Sequence, residues 1–204
     1  MKHISSRFIG LSIIICLGLF LLFITLAFFY YPGGHNFDPM ASGHTFWLNF
    51  WCDVLAEKTL NEIPNSARPF AVMAGFSLIL GILILGINSY RILTLSKINY
   101  RLMIALGILS IVTAPGVNYH HDAFLIITAT SGFLAFMIFL YASFKARHIV
   151  LICFGLLAFL TGFLNFILWL QEHQTIFLPI IQKISTVLFC LWMLTGSLIL
   201  IKKK

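Results

Sequence analysis

The chain has 204 residues, of which 60% are hydrophobic and only 9% are charged, and its mean hydropathy is +1.01. This composition excludes an ordinary soluble domain, in which about a quarter of the residues are charged. The formal net charge of +7 does not indicate a nucleic-acid partner. The basic residues sit in small groups at the ends of apolar runs, where membrane orientation requires them.

Long unbroken apolar runs determine the fold class. Inside a bilayer every backbone donor and acceptor must be satisfied within the protein, so a spanning chain forms helices or a closed barrel. Barrel strands would show alternating polarity over segments of about ten residues, and the chain has none. We therefore predict an all-α, polytopic membrane protein, with residues 1–204 forming one integral membrane domain, a six-transmembrane-helix bundle. The predicted spans are about 8–30, 69–92, 100–114, 122–144, 148–170 and 176–201.

The first apolar run, Phe8 to Tyr30, follows a short basic lead that also resembles the start of a secretory signal peptide. Its 23 residues are enough to cross a hydrocarbon core of about 30 Å. A signal peptide usually has a shorter apolar region, of about 7–15 residues. We expect a retained first helix.

Charge is distributed asymmetrically between the two sides of the predicted bundle. All six acidic residues fall on one side: Asp38, Asp53, Glu57, Glu62, Asp122 and Glu172. Ten of the thirteen basic residues fall on the other: Lys2, Arg7, Arg91, Lys97, Arg101, Lys145, Arg147, Lys202, Lys203 and Lys204. Because cytoplasmic loops carry the excess of Lys and Arg, both termini are predicted to be cytoplasmic. The bacterial inner membrane is the default location, since the chain shows no sorting signal.

The loop at residues 31–68 holds most of the remaining polar chemistry. Asn49, Asp53 and Glu57 occupy one face at helical spacing, and a second face is apolar, with Phe46, Trp47, Phe50, Trp51, Val54 and Leu55. We predict an amphipathic extracytoplasmic helix near Thr45 to Leu60, between the first and second spans. It would either lie at the headgroup level or cover the mouth of the bundle. Arg68 is expected to pair with Asp53 or Glu57.

Histidines and carboxylates on the outer side form a pool of nitrogen and oxygen donors. Such donors suit zinc or another divalent metal, and the candidate ligands are His120, His121, Asp53 and His173. Their spacing matches no metal-binding motif. The alternative is that they cap helices and lie at the headgroup level. General acid–base chemistry by His120 or His121 with Asp53 is a further hypothesis, because histidine titrates near neutrality.

Lys183 is an isolated basic residue about two turns into the sixth predicted span. Its side chain either extends to the outer interface or turns inward to meet Asp53, Asp122 or Glu172. An inward lysine would mark a functional position, since ionisable groups inside membranes pair or line a path. The candidate catalytic residues are therefore Asp53, His120, His121 and Lys183. No cofactor-binding motif is present, and the four cysteines show no C-x-x-C spacing.

Short motifs carry a resemblance to a known type of membrane protein. They are the Tyr-Pro-Gly sequence from Tyr31, the Asn-Phe-x-x-Asp segment from Asn49 to Asp53, and a histidine at the outer start of the fourth helix. With the six-helix layout, the chain resembles an uncharacterised prokaryotic family that is similar in layout to the Frag/DRAM/Sfk type. The chain departs from that pattern at Cys52, where the family favours serine. The resemblance implies a six-helix bundle with a functional outer face, and no biochemical role.

The sequence leaves the biochemical role, and whether the protein is an enzyme, open. The leading hypothesis is a non-enzymatic integral membrane protein whose polar extracytoplasmic face contacts lipid headgroups or a membrane protein partner. A metal-dependent intramembrane hydrolase acting on lipid is one alternative. A small transporter is another, suggested by Lys183 and the acidic residues near the membrane.

Overall fold

The computed structural model describes residues 5–114, 121–171 and 176–203, without the side chains of His121 and Asp122. The predicted all-α class is confirmed, apart from one short hairpin. The described part contains six long helices: α1 (Ser6–Tyr30), α2 (Arg68–Asn88), α3 (Lys97–Thr113), α4 (His121–Lys145), α5 (Ile149–Leu170) and α6 (Phe177–Lys202). Five of these are long and apolar enough to cross a membrane, and α3, with 17 residues, is the shorter sixth.

Serine side chains define the starts of two helices. The Ser5 hydroxyl accepts a hydrogen bond from the Phe8 backbone N–H, and the Ser96 hydroxyl accepts one from that of Asn99. Each satisfies a donor that the first helical turn leaves free. Before α2, the Ser66 hydroxyl instead donates to the Tyr30 carbonyl at 2.7 Å, which joins the end of α1 to the start of α2.

The helices pack side by side around a common core. Helix α1 lies between α2 and α6, and α5, α4 and α3 follow in turn from α6. Near the chain termini the core draws on all six helices, through Ile13, Leu85, Met103, Phe139, Leu151 and Met193. At the opposite end the buried residues of a second core come from α1, α2 and the intervening loop, and Cys190 of α6 packs against them. These buried residues include Phe20, Ile24, Ala27, Val54, Ala71 and Ala74.

Polar contacts identify the two ends of the bundle. At the terminal end, the Arg91 guanidinium donates to the Ser6 hydroxyl at 3.2 Å, the Lys203 ammonium donates to the Arg91 carbonyl, and a His148 ring nitrogen contacts the Ile92 carbonyl. The starts of α1 and α5 and the ends of α2 and α6 therefore meet there. The loop end carries residues 31–67, which we call the loop cap.

The loop cap begins with an antiparallel hairpin of β1 (Gly33–His35) and β2 (Asp38–Ser42). Gly33 and Gly34 have φ of +143° and +87°, in the region that favours glycine. A Cβ on Gly33 would lie 2.3 Å from the Ala41 carbonyl oxygen. Glycine is therefore needed both for the backbone conformation and for the close approach of the two strands.

The predicted amphipathic helix near Thr45 to Leu60 is wrong. The segment forms separate turns, with Asn49 N–H bonded to the Thr45 carbonyl and Ala56 N–H to the Cys52 carbonyl. Side chains replace the continuous helical ladder, because Asn49 Oδ1 accepts from Thr45 N–H and Asp53 Oδ2 accepts from Phe50 N–H. Asn and Asp commonly compete with helices through such local bonds.

Candidate functional site

Asn49 is the central residue of the loop cap and is fully buried. Its Oδ1 accepts from Thr45 N–H at 2.8 Å, and its Nδ2 donates to the Gly34 carbonyl at 2.7 Å and to Asp53 Oδ2 at 2.9 Å. One amide thus joins the hairpin to both turns that follow it. Asn49 uses one acceptor and two donors, the full set of polar groups on its side chain.

Lys183 connects helix α6 to the loop cap. The side chain is turned inward and only 2% exposed, which is the inward orientation of the two that the sequence left open. Its ammonium donates to the carbonyls of Asn49 and Pro179 and lies 5.4 Å from the ring centre of Phe46 and 5.7 Å from that of Trp51. Carbonyl oxygens and aromatic faces both stabilise a desolvated cation.

The expected direct pair between Lys183 and a carboxylate is not formed by Asp53. Among the described residues the only carboxylate pairs within 4.0 Å are Lys58 with Glu62 and Arg68 with Glu57. Asp53 is near enough to Lys183 for their charges to interact. Lys183 therefore bonds to the backbone of the cap, and its charge acts on Asp53 from a distance.

The Asp53 carboxylate is held by neutral donors. Its Oδ2 accepts from Phe50 N–H at 2.8 Å and from the Asn49 amide at 2.9 Å. Burial raises the pKa of Asp53, and the Asn49 amide, the Phe50 N–H and the charge of Lys183 oppose that rise. These contacts assign Asp53 to holding the turn after Asn49.

An aromatic cluster lies beside the lysine. The His44 ring stacks on Phe28 with ring centres 4.1 Å apart, and Trp51 contacts the same phenylalanine at 5.5 Å. Burial lowers the pKa of His44 to about 4, and the positive charge of Lys183 adds to that effect. His44 is therefore neutral near neutral pH. Tyr31 contacts the His44 ring edge to face, and its hydroxyl donates to the Gly34 carbonyl at 3.0 Å.

The far side of the cap is fixed to α2 by Asn65, a residue that the sequence analysis missed. Its Nδ2 donates to the carbonyls of Asp53 and Ala56, and its Oδ1 accepts from Ala67 N–H. An asparagine just before a helix is a typical capping residue, and that position was the available signal. The predicted pairing of Arg68 with Glu57 is confirmed at 2.8 Å.

The remaining sequence candidates are histidines whose side chains lie outside the described residues. His120 and His173 lie outside the described residues, and His121 is the first residue of α4, with its side chain outside the description. Within the described part of the chain no group of three His, Cys, Asp or Glu residues could hold a metal ion. The metal and hydrolase hypotheses thus keep Asp53 as their one described candidate ligand, and its Oδ2 already accepts two hydrogen bonds.

The outward surface of the cap combines large apolar side chains with charges. Met40 is 82% exposed, Trp47 is 52% exposed, and Phe37, Phe46, Leu55, Leu60 and Ile63 are also exposed. Phe46 and Trp47 contact each other edge to face, with ring centres 4.7 Å apart. Glu57, Lys58 and Glu62 are exposed beside them. A surface with aromatic and charged groups together is typical of a membrane interface.

Comparisons with known proteins found no matching family model, no similar curated protein and no similar solved structure. The class of the protein is therefore defined by its fold and site alone. It is an α-helical protein of membrane composition, whose first and second helices are joined by a packed loop cap.

Proposed function

We propose that this is a six-span integral membrane protein, with both termini cytoplasmic, whose loop cap is an extracytoplasmic surface lying among lipid headgroups. The single observation that carries the proposal is the exposed aromatic and apolar surface of the cap, above all Trp47 and Met40. Exposed tryptophan at the end of a bundle of apolar helices is favoured at the headgroup level, where its ring is apolar and its N–H is hydrated.

The construction of the cap supports the same role. Lys183 of α6 bonds to its backbone, Arg68 of α2 pairs with its Glu57, and its Ser66 bonds to the Tyr30 carbonyl at the end of α1. A surface held from three sides keeps its outward groups at a fixed height above the helices. Fixed height is what an interfacial surface requires, because the headgroup region is only several ångströms thick on each side of the hydrocarbon core.

Fluorescence of Trp47 tests this proposal. The protein and its Trp47→Phe variant are reconstituted in vesicles, and the difference between their emission spectra isolates Trp47 from the other three tryptophans. Lipids brominated near the top of the acyl chain should quench that difference strongly, and lipids brominated at the chain end should quench it weakly. Strong quenching by aqueous iodide with none by either lipid would place Trp47 in water. The cap would then be a surface for a partner protein, the other occupant considered from the sequence.

A further inference from the structure

Basic residues at the terminal end of the α3–α4 pair form a second candidate site, far from the loop cap. Lys97 and Arg101 lie one turn apart at the start of α3, and Lys145 and Arg147 lie at and just after the end of α4. All four side chains are exposed. We call these four residues the α3–α4 cation cluster.

Hydrogen bonds between α3 and α4 fix the level of the two pairs of cations along the bundle. The Ser110 hydroxyl donates to the Thr128 carbonyl at 2.9 Å, and the hydroxyls of Thr113 and Thr128 are 2.8 Å apart. The helices are joined by a short connection and run antiparallel. Lys97 lies thirteen residues before Ser110 in α3, and Tyr141 lies thirteen residues after Thr128 in α4. Both residues are therefore about 20 Å along their helices from the hydrogen-bonded positions. Lys97 therefore lies level with the last turn of α4.

In the described part of the chain, no acidic group compensates these charges. Among the described residues no carboxylate lies within 4.0 Å of any basic side chain at the terminal end, because both carboxylate pairs are in or beside the loop cap. The Lys145 ammonium lies 4.7 Å from the ring centre of Tyr141, a neutral partner that does not cancel its charge. Four cations at the same end of two packed helices repel one another, and an anionic ligand relieves that repulsion.

Tyrosines mark the depth of the cluster in the membrane. Tyr90 and Tyr141 are 54% and 52% exposed at the same end of the bundle, and the Tyr100 hydroxyl donates to the Ile87 carbonyl at 2.7 Å. Tyrosine is enriched where a bilayer meets water. The phosphate of a lipid headgroup lies at that level, and lysine and arginine both bind phosphate.

We infer that the α3–α4 cation cluster, Lys97, Arg101, Lys145 and Arg147, is a binding site for the phosphate headgroup of an anionic phospholipid. Clusters of Lys and Arg beside membrane helices bind acidic headgroups with roughly additive contributions from each charge. The ring of Tyr141 contributes an apolar wall next to Lys145. This inference shares no residue with the loop cap, so its failure would leave the proposed function untouched.

Native mass spectrometry of detergent-purified protein tests the inference, with phosphatidylglycerol and phosphatidylcholine as the probes. The wild type should retain phosphatidylglycerol in preference to phosphatidylcholine. The variant with Lys97→Gln, Arg101→Gln, Lys145→Gln and Arg147→Gln should bind phosphatidylglycerol about a hundredfold more weakly, since the contributions of the four cations to the binding free energy add. The single variant Arg147→Gln should bind phosphatidylglycerol about threefold more weakly than the wild type. It tests the inference if the variant with four substitutions does not fold.

A matched control removes four positive charges elsewhere. The variant with Arg7→Gln, Lys58→Gln, Lys202→Gln and Lys203→Gln has the same net charge as the cluster variant and should keep the wild-type preference. Equal loss in both variants would show that overall charge attracts the lipid, and it would overturn the site. Equal retention of the two lipids by the wild type would overturn it as well.

Discussion

Asn49 joins three parts of the loop cap with one side chain, so its removal should weaken the cap as a unit. Asn49→Ala leaves Thr45 N–H without its acceptor and removes one of the donors to Gly34 and Asp53. Losing the partner of a buried polar group costs about 1–3 kcal/mol. We expect the opening free energy of residues 45–53, measured by amide hydrogen exchange, to fall by about 3 kcal/mol.

The exposed Asn36, at the hairpin turn, provides the control for that measurement. Asn36→Ala should change the opening free energy by less than about 0.5 kcal/mol, as surface substitutions usually do. Unchanged exchange in Asn49→Ala would mean that the cap does not depend on this amide.

His44 gives the cap a dependence on pH. Its pKa is lowered from 6.5 to about 4 in the folded cap, so between these values the unfolded cap binds more protons than the folded one. Stability is therefore full above about pH 6.5 and falls as pH drops toward 4, by up to about 3 kcal/mol. Asp53 acts in the opposite direction, because its raised pKa favours the folded cap at low pH. The net loss should be smaller than the contribution of His44 alone.

His44→Phe tests this dependence, since phenylalanine can keep the stacking contact with Phe28 but cannot titrate. The urea midpoint of cap unfolding, followed by tryptophan fluorescence, should fall with acid in the wild type. In the variant it should stay level or rise as pH decreases, because Asp53 then acts alone. Identical profiles for the two proteins would contradict the assignment of the pH effect to His44.

Lys183 shows how far single residues could be predicted from the sequence. Its position two turns into α6 allowed both an inward and an outward side chain, because a lysine can extend far enough for either. The choice depends on the Asn49 carbonyl and on the rings of Phe46 and Trp51. These groups are more than 130 positions away in the sequence. Such contacts exist only once the loop has packed, and no local pattern encodes them.

At the scale of elements, the helices followed from composition and the loop did not. Twenty or more apolar residues in a row form a helix in a bilayer, so the bounds of the helices could be predicted to within a few residues. In the loop, the spacing of Asn49 and Asp53 correctly brought their side chains together, at 2.9 Å. It did not form a helix, because the same side chains bond to the backbone of their own turns and Lys183 takes the Asn49 carbonyl.

Substitutions at three glycines distinguish the cost of a strained backbone conformation from the cost of a steric clash. Gly33 has both a positive φ and a backbone oxygen in the way, Gly43 has φ of +68° with open space, and Gly18 lies in α1 with open space. Gly43→Ala should cost about 1–2 kcal/mol from its conformation alone, and Gly33→Ala should cost more. Gly18→Ala should be neutral or stabilising by up to about 1 kcal/mol, as in a helix interior.

Limited proteolysis of the cap measures this series. Cleavage within residues 33–43 should be fastest in Gly33→Ala, intermediate in Gly43→Ala and at the wild-type rate in Gly18→Ala. Equal rates for the Gly33 and Gly43 variants would show that the approach of β1 to Ala41 is not constrained.

At the scale of the whole molecule, the proposed topology depends on α3. With 17 residues, α3 covers about 25 Å, a little less than a typical hydrocarbon core, and its outer hydroxyls bond to α4. If α3 crosses, the connections on either side of it fall on opposite faces of the membrane. The turn after α2 and the turn after α4 then share a face. If α3 does not cross, those two turns fall on opposite faces, which would break the contact between the His148 ring and the Ile92 carbonyl.

Cysteine labelling in intact cells separates these topologies. In a background in which Cys16, Cys52, Cys153 and Cys190 are replaced by serine, single cysteines replace Asn36 in the cap, Thr94 after α2 and Ala146 after α4. Six spans predict that a membrane-impermeant maleimide labels Asn36→Cys at once, and labels Thr94→Cys and Ala146→Cys only after permeabilisation. Labelling of Ala146→Cys together with Asn36→Cys would mean five spans. The α3–α4 cation cluster would then lose its common membrane face, because Lys97 would still follow the protected turn after α2 while Arg147 would lie on the labelled side.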